Sequence, residues 1–333
     1  MKVTIVSRKA HFGQFSVENI IERLLLSCEL LGINVERRTV PFRSKGFVRR
    51  LLIALFARFY SGDVKHVFGD ITFVASIFDR HRTIVTILDC YLLTTLTGLK
   101  LSIYKYFWMQ LPLRNATAIT VISNETKEEL ISRVSIDPKR ITVVPVSVSP
   151  KFVFHARKFN KTKPNLLQIG TKENKNIENL ICAISGLTCK LTIIGRLTSS
   201  QKDLLNEHHI EYENKVQLSD DDLIREYVNA DILTFVSTYE GFGMPIVEAQ
   251  KVGRVVVTSN VSSMPEVAGD AACLVDPANI SSITEGVRRV IDNDIYRESL
   301  ISKGFTNSDR YNESVIAQQY LDIYKDVFEQ STC

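Results

Sequence analysis

The sequence is poor in the features that mark fibrous, disordered or covalently stapled chains. Its 333 residues include only 15 Gly and 9 Pro, too few for a collagen-like or low-complexity protein. The six cysteines, at positions 28, 90, 182, 189, 273 and 333, form no C-x-x-C pair and have no histidine cluster beside them. That spacing suggests neither a zinc site nor a disulfide framework and leaves buried, reduced thiols as the expectation. No apolar run reaches the roughly 18 residues of a membrane span; the best stretch, 51–60, contains Arg58 and stops at Ser61-Gly62-Asp63. The opening Met-Lys-Val-Thr-Ile-Val-Ser meets Arg8 and Lys9 too soon for a signal-peptide apolar region. It reads as a first buried strand, so a cytoplasmic chain is expected.

What the chain does have is ample core, with 45% hydrophobic and 23% charged residues. Its length favours two domains of similar size. The net charge of +4 hides an asymmetry: residues 1–160 carry 24 Lys and Arg against 12 Asp and Glu, whereas 161–333 carry 17 against 25. Short apolar runs alternate with amphipathic stretches, the pattern of parallel sheets built from β-α units. Strands are predicted at 3–6, 35–40, 64–68, 83–88, 118–122 and 141–144, then at 166–169, 190–194, 232–236, 255–258 and 272–275. Ser16 and Ser123 are expected to cap helices, and Gly32 to stop the first. The basic stretch 150–164 lacks periodicity and reads as an interdomain linker. Apolar side chains at Ile316, Tyr320, Ile323, Tyr324, Val327 and Phe328 form a helical stripe that must pack somewhere. The expected architecture is α/β, two Rossmann-like doubly wound domains facing across a cleft, with ligands at the carboxyl ends of the strands.

The dinucleotide fingerprint fails. The loop after the first strand, Ser7-Arg-Lys-Ala-His-Phe-Gly13, has one glycine, and the loop opening the second half is Gly170-Thr-Lys-Glu-Asn-Lys-Asn176. Neither is G-x-G-x-x-G or a Walker loop, which argues against NAD and ATP chemistry. The informative segment is Ser237-Thr-Tyr-Glu-Gly-Phe-Gly-Met-Pro-Ile-Val-Glu248. It follows a buried strand, carries two glycines that permit close backbone approach, and places Pro245 where a helix starts. A helix N-terminus aimed at a ligand suits a phosphate. Glu240 in the loop and Glu248 about one turn into the helix can each accept from ligand hydroxyls. Either alone would read as a cap or a solvated residue; together, around these glycines, they read as a site.

At this segment the chain resembles the retaining glycosyltransferases of family 4 (GT-B fold, glycosyltransferase group 1 domain), whose signature is two glutamates separated by seven residues. The likeness continues at Ile119-Thr-Val-Ile-Ser-Asn-Glu-Thr-Lys127, Leu167-Gln-Ile-Gly170 with Lys175-Asn176, Tyr227-Val-Asn-Ala-Asp231, Ser262-Ser-Met-Pro-Glu-Val-Ala-Gly269 and Leu274-Val-Asp-Pro277. The resemblance implies a domain over 1–158 that binds the acceptor, a nucleotide-sugar-binding domain over 159–310, and a helix over 311–333 that crosses back to the first. It implies catalytic Glu240 and Asp89, with Glu240 at the transferred sugar. Donor contacts would come from Thr171, Lys175, the backbone of Gly241, Phe242, Gly243 and Met244, and Glu248 at the ribose. His11 and Gly13, in the loop after the first strand, are acceptor-side candidates.

Two departures stand out. Thr171 occupies a place where many relatives carry arginine, so one phosphate contact is expected either to be missing or to come from Lys172 or Arg196. Leu88 precedes Asp89 where relatives often carry histidine, which predicts a pocket tolerant of a less polar sugar such as a 6-deoxyhexose or an N-acetylated sugar. Asp220-Asp-Asp222 is read as the first turn of a helix capped by Ser219 and not as a metal motif. No cofactor and no metal are implied. The histidines have no metal-ligand spacing.

The implied reaction transfers a sugar from a nucleotide-sugar donor to a glycan or polyprenyl-linked glycan, as in bacterial surface polysaccharide synthesis such as O-antigen. The rival readings are a catalytically silent nucleotide-sugar-binding protein and a GT-B sugar-nucleotide epimerase. The basic, aromatic stretches 43–60 and 100–114 suit an anionic leaflet, so a peripheral position at the inner face of the plasma membrane is expected. Nucleic acid is not expected as a partner, because no binding motif accompanies the charge.

Overall fold

Valine- and isoleucine-rich runs buried on both faces make parallel strands, since each must be covered by helices above and below the sheet. The computed structural model of the protein describes residues 1–9 and 16–331. It divides into two units, Met1–Ser147 with Glu313–Cys333, and Val148–Asn312.

In the first unit the strands are β1 (Lys2–Ser7), β2 (Asn34–Thr39), β3 (Val64–Phe68), β4 (Thr83–Ile87), β5 (Ala118–Val121) and β6 (Ile141–Val143). They form one parallel sheet in the order β2-β1-β3-β4-β5-β6. Alternate side chains serve opposite faces: Val85 and Ile87 enter one apolar cluster and Ile84 the other. Ser123 caps the helix Asn124–Arg133, its hydroxyl accepting from the Thr126 amide at 3.1 Å.

The second unit holds β7 (Asn165–Ile169), β8 (Lys190–Ile194), β9 (Tyr212–Lys215), β10 (Ile232–Phe235), β11 (Val255–Ser259) and β12 (Cys273–Val275). Their order is β12-β11-β10-β7-β8-β9, again all parallel. The sequence gives no sign of β9, because this edge strand reads Tyr-Glu-Asn-Lys and has no apolar run; charged edge strands of this kind resist pairing with other chains.

The last helix, Glu313–Gln330, belongs with the first unit. Its Ile316, Tyr320, Tyr324 and Val327 are buried among Val3, Ile5, Ile21 and Ile84. A polar chain runs through that apolar layer: Tyr324 Oη meets His66 Nδ1 at 2.9 Å, His66 Nε2 meets Thr86 Oγ1 at 2.6 Å, and Thr86 Oγ1 meets Thr120 Oγ1 at 2.6 Å. Every member is buried, so each hydrogen bond replaces one that water can no longer provide.

The stretch read as a linker does not behave as one. Phe152 is buried edge-on against Tyr227 at 5.3 Å. The Arg157 guanidinium holds the buried Asp231 carboxylate at 2.9 Å, which also accepts from the Asn165 amide at 2.8 Å. Residues 148–158 therefore fold with the second unit, and the first ends at Ser147 rather than after residue 158. At the other end the last helix begins at Glu313 rather than at 311. With Lys151, Arg157 and Lys158 in the second unit and Glu313, Asp322, Lys325, Asp326 and Glu329 in the first, the charge contrast falls to +6 against −2.

The five described cysteines form no disulfide with one another. No described helix is long and apolar enough to cross a membrane.

Candidate active site

Strand order in the second sheet reverses between β7 and β10, and a reversal opens a crevice at the carboxyl ends of those two strands. The loops that follow them carry Lys175 and Glu240. After β7 the chain turns at Gly170, with φ of +89°, a left-handed value that favours glycine. A Cβ there would lie 2.9 Å from Lys175 Cγ, so the missing side chain lets the lysine fold back over the turn. Buried Gln168 ties both ends of this loop, its amide donating to the carbonyls of Gly170 and Lys175 at 3.2 Å each. Asn176 has φ of 55° and fixes the exit, donating to the carbonyls of Val236 and Pro277 at 3.0 and 2.8 Å.

So held, Lys175 Nζ donates to Glu240 Oε1 at 2.5 Å and lies 4.7 Å from the centre of the Phe235 ring. Asn174 donates to the Tyr239 carbonyl at 3.0 Å and to Glu240 Oε1 at 3.4 Å. The Glu240 main chain is clamped from a third loop. The Ser262 and Ser263 hydroxyls both donate to its carbonyl at 2.8 Å, and Ser263 Oγ is also 2.6 Å from the Phe242 carbonyl.

The helix Met244–Val252 starts immediately beyond. Gly243 at its N-cap has φ of +112°, and no described side chain caps the start. That end presents the positive pole of the helix. Phe242 contributes its backbone to this loop, while its ring is buried edge-on against Tyr311 at 5.4 Å. Glu248 is buried one turn in, where the Tyr227 hydroxyl donates to its Oε2 at 2.6 Å. Burial and the adjacent carboxylate push the Tyr227 hydroxyl well above its ordinary pKa, so it stays protonated and remains a donor.

Thr171 is half-buried, its hydroxyl donating to the Arg196 carbonyl at 2.7 Å; the Lys172 and Arg196 side chains are exposed. Asp89 belongs to the first unit and is exposed just past β4, its Oδ1 accepting from the Tyr91 amide at 3.0 Å. Leu88 beside it packs against the apolar layer under the last helix. His11 and Gly13 lie outside the described residues. Ser219 caps the helix Asp220–Asn229, accepting from the Asp222 amide at 3.1 Å and donating to that residue's carboxylate at 2.6 Å. Among the described residues no group of three or more His, Cys, Asp or Glu could hold a metal ion.

Sequence reasoning did not single out Gln168, Asn174, Tyr227 or the Ser262-Ser263 clamp as parts of the site. Asn174, Tyr227 and the serine clamp take partners 21 to 66 residues away, whereas Gln168 acts within its own loop, on Gly170 and Lys175.

Residues 151–306 match the family model described as "Glycosyl transferases group 1". O-antigen chain mannosyltransferase B of Escherichia coli is 29% identical over 64% of this chain and 61% of its own length. MMP alpha-(1->4)-mannosyltransferase of Mycolicibacterium hassiacum is 26% identical over 54% of this chain and 46% of its own length. The chain thus spans less than two thirds of the length of these two relatives. Among solved structures, Anabaena HepE, determined with UDP and glucose, superposes with a TM-score of 0.76 at 15% identity over 97% of this chain and 99% of its own. The fold is GT-B, and residues 151–306 carry a glycosyl transferases group 1 domain.

Proposed function

We propose that the chain is a retaining glycosyltransferase that moves a sugar from a nucleotide-sugar donor to a glycan or polyprenyl-linked glycan, at the cytoplasmic face of the membrane, in the assembly of a surface polysaccharide. The observation that carries this reading is the Lys175–Glu240 pair at the strand reversal, beside a helix start that no described side chain caps. A nucleoside diphosphate gains negative charge as its bond to the sugar breaks, and a fixed lysine and helix pole stabilise that charge without reorganising. In this reading they do so with no metal or cofactor. Diphosphate oxygens would draw Lys175 from Glu240, freeing a carboxylate for the sugar. The amides of Gly241–Met244 meet the phosphates, Thr171 borders them, and Glu248 accepts from the ribose hydroxyls. With retention, the leaving phosphate itself takes the acceptor proton, and Asp89 in the first unit serves as the second carboxylate, with His11 and Gly13 on the acceptor side.

Both relatives are named mannosyltransferases, so a mannose donor is the first to test, against a 6-deoxyhexose that the apolar Leu88 would favour. The panel is guanosine and uridine diphosphate sugars, scored by thermal unfolding. A donor at a hundredfold its Kd should add roughly 2.7 kcal/mol of stability, and the same donor should lose its sugar when acceptor is supplied. No stabilisation by any donor would overturn the proposal. Binding without transfer or slow hydrolysis would favour the silent binding protein, the reading that Leu88 and Thr171 support.

The Tyr227 hydrogen bond gives a finer expectation. If Glu248 must be aimed at the ribose, Tyr227→Phe should weaken donor binding about tenfold, the worth of one hydrogen bond to a charged group, and leave kcat unchanged. Calorimetric titration alongside steady-state kinetics separates this from loss of fold, which would lower both.

A further inference from the structure

Exposed apolar side chains of the first unit are concentrated on two helical stretches that the proposed chemistry does not use. The helix Phe47–Ala57 buries Ile53 and Ala57. On faces turned away from them Phe47 is 80% exposed, Leu51 51% and Leu55 53%, and Phe59 just beyond is 83% exposed. The second stretch runs through helix Gly98–Tyr104, a π-turn at Lys105–Gln110 and helix Leu111–Asn115. It leaves Leu99 76% and Phe107 49% exposed. The stretches adjoin, because Arg50 of the first stacks on Trp108 of the second at 4.5 Å. A folded protein rarely leaves so much contiguous apolar surface in water unless something covers it.

The charge around these faces says what covers it. Residues 43–62 hold Arg43, Lys45, Arg49, Arg50 and Arg58 and no carboxylate, and residues 90–124 hold Lys100, Lys105 and Arg114 and no carboxylate. Arg43, Lys45, Arg49 and Arg58 are exposed at the margins of the apolar ladder. A second copy is a poor match, because a two-fold interface would set the same cations against themselves. An anionic leaflet matches both properties, taking the apolar side chains at the acyl boundary and the cations among its headgroups.

We propose that the helix Phe47–Ala57 and the stretch Gly98–Asn115 form a docking face for an anionic lipid bilayer, with Phe47, Leu51 and Phe59 entering the leaflet. The proposal does not depend on the reaction above. The test is co-flotation of the full chain with phosphatidylcholine vesicles, with or without phosphatidylglycerol, across a salt series. The chain should float with the anionic vesicles only, and release should follow added salt, since screening shortens the reach of each cation.

The Phe47→Ser/Leu51→Ser/Phe59→Ser variant alters exposed side chains and should lose binding by tenfold or more, with an unchanged thermal midpoint. The Arg49→Gln/Arg58→Gln variant should lose about fivefold per arginine, the equivalent of about 1 kcal/mol each. Three results would overturn the assignment. They are no binding to anionic vesicles, equal binding to neutral ones, and a dimer in light scattering that the serine variant dissociates while vesicles capture nothing.

Discussion

Lys175→Ala is expected to lower kcat by about a hundredfold or more, the usual cost of removing one preorganised partner of a developing negative charge. Glu240→Gln should depress turnover more than donor binding, because this carboxylate is assigned to the reacting sugar, while Glu248→Ala should chiefly raise the donor Kd. The 2.5 Å contact between Lys175 and Glu240 adds a condition. Groups in direct contact do not contribute independently, so the double variant should lose much less than the product of the single losses. Steady-state kinetics and donor titrations on the three single variants and the double decide the matter. Unchanged kcat in both Lys175→Ala and Glu240→Gln would remove the site from this loop pair.

Tyr324→Ala should destabilise the first unit by about 4 kcal/mol, as expected for emptying a buried aromatic site. Tyr324→Phe should cost about 1–2 kcal/mol, because it keeps the ring and orphans only His66 Nδ1. The chain's single tryptophan, Trp108, lies in the first unit, so its fluorescence in urea follows that unit. The same experiment carries a pH signature. Burial lowers the His66 pKa to about 3, whereas an unfolded imidazole titrates near 6.5. Below about pH 6.5 the unfolded chain takes up a proton that the folded one refuses, so this group's contribution is lost as pH falls from about 6.5 toward 3, by up to roughly 1.4 kcal/mol per pH unit. Equal urea midpoints for wild type and Tyr324→Ala would show that the last helix does not hold the first unit together.

Eleven of the twelve described strands and the helix starts at Ser123 and Ser219 were legible because each is written in a short window, as an apolar run or a capping hydroxyl. The Glu240 to Glu248 segment was legible for the same reason: a glycine turn, a proline and a helix start are neighbours in sequence. β9 escaped because an edge strand need not be apolar. The stretch 150–164 misled because its order comes from Asp231 and Tyr227, about 70 residues away, and not from its own periodicity.

The sequence by itself determined the class of fold, the glycine-proline loop from Glu240 into its helix and the helical stripe at the C-terminus, since local period and turn chemistry dictate them. Only the tertiary structure decided which partners those residues take. It set Lys175 on Glu240 across 65 residues and Tyr227 on Glu248 across 21, and it placed the last helix against His66. It also decided which apolar faces stay uncovered. A periodic pattern shows that a helix has an apolar side, and the covering of that side depends on what the rest of the chain brings to it; for Phe47 and Phe59 the described chain leaves it exposed.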